Sequence, residues 1–190
     1  FIYGRVIGLN RFGAVIAAIT YTFSLFMIVQ AVFPMIIAAT AWLPLLLTAI
    51  EMIVRRQCAA PARSPAPYVL LGSLALGCEW LAGHVEITYF VLIVLALYSA
   101  WRLAGEGWRL RWELGPRVSW LRVVRTGLSL LAMVLLGTGL AAIQVVPLYE
   151  LVRTSFRQGS ASLEQVLGWA YPKRRLLAWF MPDFFGNPTH

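Results

Sequence analysis

Residues 12–32 read FGAVIAAITYTFSLFMIVQAV and carry no charged side chain. About 20 apolar residues are what an α-helix needs to cross the roughly 30 Å hydrocarbon core of a bilayer. Gly13, Ala14, Ala17, Ala18 and Ser24 supply the small side chains that let membrane helices approach closely. The pattern recurs at 35–54, 68–82, 84–101 and 123–146. These blocks predict an all-α fold, a polytopic membrane helical bundle of about five transmembrane helices.

Composition agrees. Sixty per cent of residues are hydrophobic and only 13% are charged, where a soluble domain carries about a quarter. Mean hydropathy is +0.74. Eight Trp and seven Tyr suit the level where lipid meets water. The net charge of +8 does not argue for nucleic acid, because the basic residues lie between apolar blocks and form no long stripe. Membrane lipids with anionic headgroups are the simpler partner.

Punctuation sets the organisation. Pro34 suits the first turn of a new helix, and Pro44 predicts a kink inside the second block. The stretch 57–67 holds three prolines and reads as a connection. The third block is short, about 21 Å if helical. Only residues 82–85 separate it from the fourth, which suggests two helices with a tight turn; a buried hairpin that never crosses is the alternative. Six arginines, Glu106, Glu113 and three interleaved Trp make 102–125 read as a segment lying on the bilayer surface. Gly127, Gly137 and Gly139 predict close packing of the fifth block, and Pro147 is expected to interrupt it before a helical continuation over 148–154.

Charge assigns the sides. Arg5, Arg11, Arg55, Arg56, Arg63 and the arginines of 102–125 fall on alternate connections, while those after the first and third blocks hold no Lys or Arg. The positive-inside rule then puts the amino end in the cytoplasm. Residues 1–154 form the transmembrane helical domain, and 155–190 a polar outer-face segment. The basic residues of that segment, Arg157 and Lys173-Arg174-Arg175 among them, depart from the rule, as a long exported segment tolerates. The chain opens at Phe1-Ile2-Tyr3 and stops at His190 after a polar stretch, so it reads as an internal fragment of a longer membrane protein, with a processed product as the alternative. Cys58 and Cys78 fall at different depths, which predicts no bond between them.

Two clusters carry candidate chemistry. Glu79, His84 and Glu86 lie at the outer end of blocks three and four, where carboxylates are costly unless paired or wet. A divalent-cation site fits them, as does a proton acceptor for a sugar hydroxyl, with His84 and Glu86 as the catalytic candidates. A hydrogen-bonded knot capping the hairpin fits equally. A single internal histidine argues against zinc. The second cluster is Gln144, Glu150, Arg153 and Arg157. Glu150 and Arg153 are spaced to pair on one helix face. The arginines also suit a substrate or lipid phosphate, since guanidinium forks match phosphate oxygens. No glycine-rich phosphate loop, nucleophile elbow or paired-cysteine metal motif is present.

Several segments, taken in order, resemble a known family. They are Ser24-Leu25-Phe26-Met27, and Ala41-Trp42-Leu43-Pro44-Leu45-Leu46-Leu47 followed by Glu51 and Arg55. Next come Gly83-His84-Val85-Glu86 with Tyr89-Phe90, then Gln144-Val145-Val146-Pro147-Leu148-Tyr149-Glu150-Leu151, and finally Pro182-Asp183-Phe184-Phe185-Gly186. Together they are similar to the bacterial YfhO-like membrane proteins, which look like polytopic glycosyltransferases of the GT-C type. The resemblance implies a sugar moved from a polyprenyl-phosphate-linked donor to an acceptor at the outer face of a bacterial cell membrane. It implies that the usual catalytic carboxylate lies in an outer loop upstream of Phe1. Two other readings stay open: a transporter or flippase segment with an ion or proton relay, and a non-catalytic structural membrane protein.

Overall fold

The computed structural model describes residues 1–59, 61–154, 163–170, 176–178, 181 and 184. Among them the regular structure is helical, with no strand. Helix α1 is Ile2–Val6 and α2 is Arg11–Thr22. Asn10 opens α2, its Oδ1 accepting from the Gly13 amide at 2.7 Å. The first apolar block then breaks at Phe23–Ser24, with no proline to mark it. Ser24 Oγ accepts from the Met27 amide at 3.4 Å and starts a new helix, α3 (Leu25–Val29). A 3₁₀ turn at Gln30–Val32 leads into α4 (Pro34–Thr40), and α5 follows at Leu43–Cys58. Pro34 and Pro44 both sit in first turns, where a missing amide hydrogen costs no helical bond. The kink expected at Pro44 is thus a helix boundary.

Helix α6 is Ala66–Leu81, and a turn with Gly83 at φ +80° leads to α7, Val85–Leu114. A residue with a Cβ is strained at that angle, so the tight connection depends on glycine. Helix α8 is Pro116–Leu140, α9 is Ala142–Thr154 and α10 is Leu163–Trp169. Among the described residues four stretches are long and apolar enough to cross a bilayer: Arg11–Val32, Pro34–Cys58, Val85–Leu114 and Pro116–Leu140. The chain is a multi-pass, all-helical membrane bundle. The fifth expected crossing corresponds to α6, whose 16 residues make it shorter than the rest.

Two further segments differ from expectation. Residues 102–125 are not a separate surface segment. They are the ends of two long helices, α7 and α8, joined at Gly115 with φ +87°. Helix α7 continues because its charges are absorbed as it goes: Glu51 and Glu106 take Arg102, and Glu106 and Glu113 take Arg109. Ser119 Oγ donates to the Gly107 carbonyl at 2.7 Å and ties the two helices near their turn. The second concerns Pro147, which lies inside α9. The break falls at Ala141 instead.

The chain separates into two compact units, Phe1–Tyr149 and Glu150–His190. Within the first, α6 packs chiefly on α8 and α5, and α7 on α8. Gly137 makes the α6–α8 approach. A Cβ there would stand 2.8 Å from Leu76 Cβ and 2.9 Å from the Ser73 carbonyl oxygen. Gly72 does the same against Met133, whose carbonyl accepts from Ser73 Oγ at 3.1 Å. Gly127 has only Leu103 at 4.0 Å, and Gly139 has nothing within 4 Å, so neither makes the expected close contact. The core is apolar, with Leu46, Ile50, Ile53, Leu76 and Met133 all buried. Many outward side chains are apolar as well, among them Phe12, Leu25, Leu97 and Leu135. That is the surface of a bundle whose solvent is hydrocarbon. In the second unit, α10 is followed by a 3₁₀ turn at 176–178.

Candidate functional site

The α6–α7 turn positions the first cluster, and it separates the three residues. Glu79 is one turn before the end of α6 and is fully buried. His84 is half-buried, and its Nδ1 accepts from the Ile87 amide at 3.3 Å, so it caps α7. Glu86 is exposed in the first turn of α7, where the helix dipole favours a carboxylate. Among the described residues no three His, Cys, Asp or Glu side chains come together to hold a metal ion. The divalent-cation site expected at Glu79, His84 and Glu86 is therefore not assembled: burial takes Glu79 inward, capping occupies His84, and Glu86 faces out.

Both carboxyl oxygens of Glu79 are buried without a hydrogen-bond partner. Its polar surroundings are two hydroxyls. Thr88 of α7 lies beside it, and Tyr21 of α2 is within electrostatic range. Tyr21 also lines a groove of about 710 Å³ in the first unit. The groove runs along α2 between α1 and the α3–α5 segment, from Tyr3 and Ile7 past Ala18 to Tyr21, Phe23 and Ile28. Its walls are mainly apolar, and it is partly open.

A site that the sequence did not single out as a cluster lies at the other end of the bundle. Glu51 of α5 is buried and has three partners. Arg102 donates through Nε at 2.7 Å and through Nη2 at 3.0 Å. Arg55 Nε donates at 2.6 Å and Tyr98 Oη at 3.0 Å. The only sequence signal was the acidic–basic spacing of Glu51 and Arg55, which names one partner of the three. Arg122 adds a second tie: its Nη1 donates to the carbonyls of Cys58 at 3.2 Å and Ala59 at 2.8 Å, closing the end of α5. Several arginines that charge counting assigned to headgroups are thus internal fasteners. Arg111, Arg117 and Arg125 have no such bond among the described residues, and Arg111 lines a recess of about 330 Å³ with Trp108 and Trp120.

Gln144 is half-buried on α9, while Glu150 and Arg153 are exposed. The ion pair spaced for Glu150 and Arg153 is not among those formed between described residues, although Arg153 has an interaction of its own. Arg157, the triplet 173–175 and Asp183 lie outside the described residues. No family model, curated protein or solved structure matches the chain.

Proposed function

We propose that this chain is part of a membrane glycosyltransferase of the YfhO-like kind, one that moves a sugar from a polyprenyl-phosphate-linked donor to an acceptor at the outer face. The observation that supports this reading is the groove along α2. A polyprenyl chain is a long, branched hydrocarbon, and a partly open apolar groove of about 710 Å³ between membrane helices suits such a chain. The amino end lies in the cytoplasm in this reading, which sets Tyr21 and the α6–α7 turn toward the outer face. Glu86, exposed in that turn, then accepts the proton of the acceptor hydroxyl. His84 contributes through Nε2, since Nδ1 is held by the helix cap. In the second unit, Arg153 and Arg157 are the guanidinium groups suited to a donor phosphate.

The test is sugar transfer by the full-length protein in membranes. Glu86→Gln lowers kcat by roughly 10²-fold if it removes a proton acceptor. Arg153→Ala weakens donor use, and Ala18→Trp, which fills the groove, reduces labelling by a photoreactive polyprenyl phosphate. Normal membrane abundance of each variant is the control. Wild-type transfer by both charge variants would remove these assignments, and unchanged labelling of the Ala18 variant would remove the groove.

A further inference from the structure

The bundle buries two glutamates among its described residues, and it treats them in opposite ways. Glu51 is 2% exposed and is surrounded by donors: two arginines and a tyrosine. It is built to hold a negative charge. Glu79 is 0% exposed, and neither of its oxygens has a partner. Among the described residues no cationic side chain acts on it. Tyr21 is the titratable group facing it from α2, and Thr88 is the polar one from α7. His84, a turn before Thr88, is engaged in its cap. Helices α4, α5 and α8 bring no charged group to it. A lone carboxylate in such a place is among the most costly groups a membrane bundle can bury.

The hydroxyls decide which form fits. Thr88 Oγ1 donates its proton to the His84 carbonyl at 3.3 Å. Tyr21 Oη donates its proton to the Thr40 carbonyl at 2.7 Å. Both hydroxyl protons are directed to backbone carbonyls, and neither Glu79 oxygen has a hydrogen-bond partner. A carboxylate sealed there has no committed donor to hold its charge, whereas a neutral carboxylic acid needs none.

We propose that Glu79 is a proton-binding site inside the helical bundle, its carboxyl carrying the proton. Release of that proton to water leaves a charge with no counter-ion. Ionisation is therefore tied to water entering between α6 and its neighbours α4 and α7. The proposal does not depend on the sugar-transfer reading.

Infrared spectroscopy of the full chain reconstituted in lipid tests it. At neutral pH the wild type shows the C=O stretch of a protonated carboxyl. Glu79→Gln abolishes that band, and Glu51→Gln leaves it. The amide also mimics the neutral acid, so Glu79→Gln keeps the wild-type thermal midpoint. A wild-type spectrum without the band, or a band that survives in Glu79→Gln, overturns the proposal. So does a clear drop in midpoint for Glu79→Gln, because that would reveal a carboxylate held by a partner.

Discussion

Replacing Arg102 by Met separates a buried ion pair from a merely visible one. Glu51 has a side chain 3% exposed, and Arg102, at 18%, supplies two of its four hydrogen bonds. Removing one member of a buried pair costs about 3–5 kcal/mol, because the charge left behind has been taken out of water. Arg55 and Tyr98 remain on Glu51 in the variant, which places the loss at the lower end, about 3 kcal/mol. For a chain of this length that lowers the midpoint of thermal unfolding by about 6–12 °C. The contrast is Arg109→Ala. Arg109 is 48% exposed and bridges Glu106 and Glu113 along the surface of α7. Its loss stays within about 1 kcal/mol. The assay is reversible unfolding in micelles followed by circular dichroism. The double variant Glu51→Gln with Arg102→Met is less destabilised than the two single losses added, since neither charge is then stranded. A loss below about 1 kcal/mol for Arg102→Met, level with an exposed pair, would refute the reasoning.

Two further outcomes follow from packing and capping. Gly137→Ala destabilises by about 1–3 kcal/mol, because the new methyl presses on Leu76 Cβ and the Ser73 carbonyl, whereas Gly139→Ala, with open space around it, does not; unfolding midpoints of the pair check this. Asn10→Ala loses the 2.7 Å cap on the Gly13 amide and costs about 1 kcal/mol, read as faster amide exchange over the first turn of α2.

The fold was legible where one residue decides the backbone. Uncharged blocks, Pro34 and Gly83 each act within a few residues of themselves, so their consequences can be read locally, whereas Pro44 opens a helix where a kink was expected. Ser24 was harder, because a serine in an apolar stretch caps a helix or packs against one with equal ease. Pro147 misled because a proline inside a helix is tolerated in membrane bundles, where neighbouring groups satisfy the freed backbone. Gly137 and Gly139 look alike in sequence, and only the face turned toward α6 separates them. The candidate site shows the same limit. Glu79 and Glu86 are the same residue type at one hairpin, yet one is sealed and the other exposed. Glu51 and Arg102 are 51 positions apart, beyond any local pattern.

The central claim is that hydrocarbon surrounds this bundle and α7 passes through it, with Val85 and Arg117 on opposite sides. Single cysteines introduced as Val85→Cys or Arg117→Cys, in the full-length protein with Cys58 and Cys78 replaced by serine, report this to a membrane-impermeant maleimide on intact cells. With the amino end cytoplasmic, as proposed above, the Val85 variant is labelled from outside and the Arg117 variant only after the membrane is opened. Labelling of both positions from the same side, or release of the protein by an alkaline wash without detergent, would contradict the account.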